Sequence, residues 1–175
     1  MALDVPPHVR PWLTDPARPL FITEGARKAD AAVSRGLAAI ALLGVWSWRG
    51  TGPQGGKAAL PDWEAVAPNG RRVYLAFDSD VTEKPPVRAA LLRLKKFIES
   101  RKAEVLIVHL PAAPGGAKTG LDDFLARGHS AEDLIQTPSP DPPLATETRP
   151  KEGRFGRPRI LLEEGDLHAL TLGTW

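Results

Sequence analysis

The chain of 175 residues contains no cysteine. Disulfides, thiolate zinc sites and thiol nucleophiles are therefore excluded, and the composition suits a reducing compartment, so a cytoplasmic protein is expected. Long apolar runs are also lacking. The longest, Leu37 to Trp46, is about half of what a membrane helix needs, which argues against a membrane partner. The N-terminus is proline-rich and has no charged-then-apolar leader. Net charge is only +2, so global charge does not call for a polyanionic partner. The four histidines (His8, His109, His129 and His168) do not cluster along the chain, and no role follows for them. What remains is a length that supports one domain with a real core, with 42% hydrophobic and 25% charged residues.

Proline and glycine are frequent, at 18 and 16 residues, and they mark joints. Residues 1–18 hold Pro6, Pro7, Pro11 and Pro16 and predict an extended lead-in that packs through Trp12. Residues 19–23 form a short apolar run, expected to be a buried strand ending at Glu24-Gly25. A helix is predicted from Ala26 to Arg35, with Gly36 at its C-terminal cap. A second strand follows at residues 37–43. This strand–helix–strand unit has about the minimum length for a parallel crossover. Residues 44–70 read as an irregular, glycine-rich loop holding Trp46, Trp48 and Trp63, anchors or stacking groups, and ending in the Asn69-Gly70 turn.

A third strand is predicted from Arg72 to Phe77, ending at Asp78. A helix follows over residues 87–102, with Val87, Leu91, Leu94 and Ile98 as its apolar stripe. Its other faces carry Arg88, Arg93, Lys95, Lys96 and Lys102, a solvated surface or one that meets nucleic-acid phosphates. A strand over 104–110, a Pro/Gly loop over 111–120 containing Lys118, and two short helices complete the pattern, the second capped by Ser130. The domain is thus expected to end near residue 136. Residues 137–159 read as a Pro-rich linker. Residues 160–175 look like the start of a further segment, too short to fold alone, so the chain is expected to be a piece of a larger protein.

Alternating strands and helices predict an α/β domain with a mostly parallel central sheet of about four strands flanked by helices. Ligands of such sheets sit beyond the carboxyl ends of the strands, where Glu24 and Asp78 both fall. Converging carboxylates repel unless a cation compensates them. Mg²⁺ (or Mn²⁺) suits hard oxygen ligands and leaves room for water and phosphate oxygens. Asp78 and Asp80, two apart, would share a face of a regular strand. Gly25 lets backbone approach a ligand, the following helix offers N–H groups to an anion, and Lys28 adds charge one turn in.

A strand ending in Glu24-Gly25, a helix, and a later strand ending in Asp78-Ser79-Asp80 resemble the Toprim pattern of bacterial primases, topoisomerases and some nucleases. Residues 118–125, Lys-Thr-Gly-Leu-Asp-Asp-Phe-Leu, are similar to the downstream segment of primase- and helicase-linked Toprim domains. Residues 23–30, Thr-Glu-Gly-Ala-Arg-Lys-Ala-Asp, with Leu-Leu-Gly-Val-Trp-Ser-Trp at 42–48, resemble a Toprim-like family in replication proteins of plasmids, phages and integrated elements. The resemblance covers roughly residues 18–136. It implies a Toprim-like (Rossmann-like) fold, with Glu24 as general acid/base and metal-site acid, Asp78 and Asp80 as Mg²⁺ ligands, and Asp122 as a candidate for a second metal position. Gly25, Lys28, Lys118, Arg88, Lys95 and Lys96 become candidates for phosphate or nucleic-acid contact. Implied partners are DNA (single-stranded or primer-template) or nucleotides, and a helicase or primase-polymerase.

Three functions follow as expectations. The first is a Mg²⁺-dependent enzyme making or cutting phosphodiesters. The second is a non-catalytic module that binds DNA, a helicase or a polymerase. The third is a nucleotide-binding regulatory domain using the helix start at Gly25. Tyr74, the only tyrosine, lies inside a predicted strand, so the chain offers no topoisomerase-type nucleophile. Lack of cysteine excludes the zinc module of many primases.

Overall fold

The computed structural model describes residues 2–82 and 84–136. The proposed linker over 137–159 and the segment over 160–175 lie outside the described residues. Four strands, β1 (Leu20–Glu24), β2 (Ala38–Leu42), β5 (Arg72–Ala76) and β6 (Glu104–Ile107), form a sheet in the order β2-β1-β5-β6. Every pairing in it is parallel, with Glu24 opposite Leu42 and Thr23 opposite Ala76. Helices α1 (Ala26–Val33), α2 (Pro85–Glu99), α3 (Leu121–Ala126) and α4 (Ala131–Ile135) flank it. The fold is α/β and Rossmann-like, as expected. Among the described residues no helix is long and apolar enough to cross a membrane.

The pleat sorts the core into two clusters. Leu20, Ile22, Ile40, Leu42, Val73 and Leu75 face one side, where Leu91, Leu94 and Ile98 of α2 cover them. Phe21, Ala39, Ala41, Tyr74 and Ala76 face the other, against Ala29 and Ala32 of α1 and Leu121, Phe124 and Leu125 of α3. Both faces are buried, which is why these strands read as unbroken apolar runs instead of alternating ones. The alanines matter on the second face. Small side chains on β2 and α1 let the helix lie close to the sheet, and Phe21 stacks on Tyr74 at 4.8 Å to fill the wider part.

Pro85 and Pro86 open α2, where proline's missing N–H is harmless. The helix ends at Glu99 instead of the expected Lys102, because the chain reverses at Lys102 (φ 67°), whose carbonyl accepts from Gly70 N–H. Lys102 thus belongs to a turn, not to the helix face. Two further expectations need correction. The lead-in is not extended throughout: Pro7–Trp12 is a 3₁₀ helix, Val9 is fully buried, and Asp4 bridges the outer edge of β2 at Ala41. The glycine-rich stretch is not irregular either. Strands β3 (Arg49–Thr51) and β4 (Lys57–Ala59) form a hairpin, followed by a 3₁₀ turn at Pro61–Ala65. Trp48 and Trp63 are buried around Phe97 of α2, and Trp63 Nε1 donates to the Trp48 carbonyl. The tryptophans supply the hydrophobic contact that organises an otherwise flexible sequence.

Arg71 is a fully buried cation that the sequence did not single out. Its guanidinium donates to the carbonyls of Arg18, Leu13 and Trp12 at 2.8, 2.8 and 2.9 Å. Burial lowers its pKa, opposed by the charge of Asp15. One side chain therefore staples the lead-in to the start of β5. Replacing Arg71 by Met removes these three hydrogen bonds, and a loss of about 2–4 kcal/mol in urea unfolding is expected. The neighbouring Arg72→Ala, which removes a solvent-exposed pair with Glu104, is expected to leave the urea midpoint nearly unchanged.

A carboxylate–lysine site at the carboxyl edge of the sheet

The parallel register brings the ends of β1 and β5 side by side. Glu24 closes β1, and Gly25 turns the chain into α1 with φ 91°, a conformation natural only to glycine. Gly25 N–H donates to the Leu42 carbonyl at 2.8 Å, which locks this turn to the end of β2. Lys28 then projects from the first turn of α1. Two residues beyond β5, Asp78 keeps the pleat direction of Tyr74 and Ala76 and so turns toward α1.

Asp78 is only 4% exposed. Lys28 Nζ lies 2.6 Å from its Oδ1 and Lys118 Nζ lies 2.7 Å from its Oδ2. The Lys28 contact is close but misdirected, and Oδ1 lacks a hydrogen bond. Lys118 also reaches Asp80 at 3.7 Å, while Lys84 holds the other Asp80 oxygen at 2.7 Å. Acids and ammonium groups therefore alternate along the edge. A buried carboxylate tolerates this position because its desolvation cost is offset by charge on both oxygens. The hydrogen bond to Asp78 raises the Lys118 pKa, and Asp78, Asp80 and Glu24 add to it by charge, which puts Glu24 within electrostatic reach of Lys118. For Asp80, burial works against ionisation, but the Lys84 hydrogen bond and the Lys118 charge hold the carboxyl below its ordinary value.

Lys118 sits on the Pro/Gly loop, yet that loop is clamped. Ser79 N–H donates to the Thr119 carbonyl at 3.0 Å, and Thr119 N–H donates to Ser79 Oγ at 2.9 Å. Thr119 is fully buried. Next to it, Gly120 occupies the tightest point. A Cβ there would lie 2.6 Å from Asp122 Oδ1, 2.8 Å from Lys28 Cε and 3.3 Å from Asp78 Oδ1. The end of β5, α1 and the start of α3 thus converge on one hydrogen-sized gap.

The expected site residues divide accordingly. Asp78, Asp80, Lys28 and Lys118 come together, with Asp122 bordering Gly120 and lying 3.9 Å from Arg27. Asp123 accepts from Gly120 N–H as a helix-start cap. Asp80 is not on a strand, because β5 ends at Ala76 and Ser79–Thr82 is a 3₁₀ turn. It reaches the site through that turn, and the two-residue strand argument does not describe it. Arg88, Lys95 and Lys96 lie on α2, which packs on the other face of the sheet. They are not gathered with Lys28 and Lys118, and Lys95 is half-buried against Glu99. Trp48 is core, whereas Trp46 is 36% exposed. Lys84, the Ser79–Thr119 clamp and the close approach at Gly120 were missed. Only Gly120, following a lysine in a Pro/Gly loop and preceding two acids, left a local signal.

Among the described residues, no three acidic or histidine side chains gather closely enough to hold a metal ion by themselves. The donor chemistry nonetheless suits a hard cation. Two carboxylates already share one ammonium, and Asp78 Oδ1 retains unused acceptor capacity. Mg²⁺ commonly takes one or two carboxylates and completes its shell with water and phosphate oxygens.

Fold and site together define a parallel α/β domain with a carboxylate–lysine site at the carboxyl edge of its sheet. The chain belongs to the family described as a domain of unknown function, DUF3854, which matches residues 11–131. It is also similar to an uncharacterized protein of Picosynechococcus sp. (strain PCC 7002), at 29% identity over 145 residues. That alignment covers 76% of this chain and 14% of the relative, so the chain spans about a seventh of the relative's length. No solved structure matches.

Removing one ammonium should separate the two lysines by burial. Lys28 is 19% exposed and Lys118 54%. Lys28→Met is expected to cost about 3 kcal/mol, the low end for breaking a buried pair, because Lys118 still faces the other oxygen. Lys118→Met is expected to cost about 1 kcal/mol or less after solvent screening. Urea unfolding of both variants checks the order. The shifts also set a pH window. Asp80, depressed on folding, contributes stability that is present above its ordinary value of 3.8 and lost as pH falls through the lower folded value. Lys118, raised on folding, contributes stability that is present below 10.5 and lost as pH rises through its higher folded value. Thermal melts across pH should therefore show a plateau through neutrality, and Asp80→Asn should soften the acid limb.

Proposed function

We propose that this domain is a Toprim-type module of a cytoplasmic mobile-element replication protein, and that it works on nucleic-acid or nucleotide phosphates at the carboxyl edge of its sheet. One observation carries the reading. Asp78, nearly buried, lies between the ammonium groups of Lys28 and Lys118, and Asp80 shares the second of these. A site that alternates fixed acids with cations suits a phosphate together with a divalent metal, because each charge on the ligand has a partner of opposite sign.

Asp78 and Asp80 are the residues that would hold Mg²⁺ or Mn²⁺, and Asp122 borders a further position. When bound, such an ion neutralises charge developing on phosphate oxygens and eases deprotonation of an attacking hydroxyl or water. Glu24 serves as acid/base, taking the proton of the attacking group or returning one to the leaving oxygen. Lys28 and Lys118, released from Asp78 in part, orient the phosphate by charge. The bond made is P–O to the incoming oxygen, and the bond broken is P–O to pyrophosphate in synthesis or to a sugar oxygen in cleavage.

A second reading has its own support. Both Asp78 oxygens already face ammonium groups, which suits a non-catalytic module that binds DNA, a helicase or a primase-polymerase.

Mg²⁺ and Mn²⁺ titrations with wild type, Glu24→Gln and Asp78→Asn, read by primer-synthesis and cleavage assays, separate the two. Catalysis predicts metal-dependent wild-type activity that falls about 100-fold or more in each variant. A wild-type protein that neither binds the metals nor turns over either substrate rules out the enzyme reading.

A further inference from the structure

The segment after β2 breaks the burial pattern of the sheet. Leu43 is 65% and Trp46 36% exposed, two of the three large apolar side chains left exposed among the described residues. The segment is nonetheless well fixed. Ser47 N–H donates to the Gly44 carbonyl at 2.8 Å, and the next tryptophan, Trp48, is buried against Phe97 at 4.9 Å. Trp46 is therefore held outward by a folded turn.

Two guanidinium groups lie over its ring. Arg49 sits 4.4 Å and Arg93 of α2 sits 5.4 Å from the Trp46 centroid. Among the described residues neither arginine pairs with a carboxylate, whereas Lys28, Arg72, Lys84, Lys95, Arg101 and Lys118 all do. The patch combines an exposed aromatic surface with positive charge that no acid neutralises. Its place in the fold is informative too. Leu42 is the register partner of Glu24 and accepts from Gly25 N–H, so this segment leaves the sheet at the same edge as the carboxylate–lysine site. The strand it follows, β2, lies two inter-strand spacings, about 10 Å, from β5, which precedes Asp78, while Arg93 approaches from α2 on the other face of the sheet from α1.

We infer that Trp46, Arg49 and Arg93 form a stacking platform for single-stranded nucleic acid where the chain leaves β2. Base faces are available for stacking only when a strand is unpaired, and the guanidinium groups near the indole add positive charge to meet the phosphates. A membrane surface would need a broader apolar face, and a partner with basic groups would meet like charge. The inference rests on the reading that this sheet edge handles nucleic acid, and it adds strandedness to it.

Binding of the 175-residue chain to fluorescein-labelled oligo-dT and oligo-U, and to a DNA duplex of equal length, is measured by anisotropy in EDTA. Working without divalent metal keeps the outcome separate from that of the catalytic proposal. Wild type is expected to prefer either single strand over the duplex, with the two oligonucleotides deciding between DNA and RNA. Trp46→Ala is expected to weaken single-strand binding about tenfold or more while leaving duplex binding unchanged. Trp46→Phe, which keeps a ring, is expected to retain most of the affinity, and Arg49→Glu to lose it. Equal single-strand affinity for wild type and Trp46→Ala would overturn the proposal, as would duplex bound as well as single strand. Competition by poly-L-glutamate as effective as by unlabelled oligonucleotide would also overturn it, since that points to charge alone. Melting temperatures within a few degrees of wild type confirm that the variants fold.

Discussion

The Asp78 carboxylate ties this domain together at the carboxyl edge of its sheet. It is almost fully out of water, and a buried charge of that kind persists only with compensation from its surroundings. The compensation comes from two separate segments: Lys28 from the helix after β1, and Lys118 from the loop before α3. One acid at the end of β5 thereby fixes the position of α1 relative to the sheet and draws in a loop made mostly of glycine, proline and alanine. Gly120 shows how closely the parts approach, because a Cβ at that position would oblige the Asp122 and Lys28 side chains to shift.

The main lines of the fold could be read from the residues because both faces of the sheet are buried. Leu20 to Ile22, Ala38 to Leu42 and Val73 to Ala76 are hydrophobic without interruption, and the α2 stripe repeats at helical spacing. The hairpin at Arg49–Ala59 was not legible. Its order comes from Trp48 and Trp63 packing on Phe97, a contact between segments far apart in sequence. The lead-in was misjudged for a related reason. Its prolines suggested extension, while Arg71, an ordinary-looking cation more than fifty residues away, collects its carbonyls.

The site was legible in its members and less so in its wiring. Strand ends and the sheet-edge rule brought Glu24, Asp78 and Lys28 to one place. That Asp78 would be enclosed by two lysines, or that Asp80 would arrive by a 3₁₀ turn and bind Lys84, depends on loop conformations that no periodicity encodes. The basic residues of α2 illustrate the converse. Arg88, Lys95 and Lys96 are close in sequence and alike in charge, yet the helix sits on the far face, and Lys95 is matched by Glu99 one turn on.

The strand order has a consequence for how the domain comes into being. β1 is made first but lies inside the sheet, between β2 and β5. As the chain emerges from a ribosome, β1 and β2 can pair early, leaving an apolar edge open until residues 72–76 appear. Parallel pairing over such separations is slow, because the intervening chain must be ordered before the contact forms. Asp78 follows at once, with Lys28 already made and Lys118 still to come. The nascent domain thus passes through a stage in which its central acid has one counter-ion instead of two, and the carboxyl edge closes only when the loop after β6 folds back upon it.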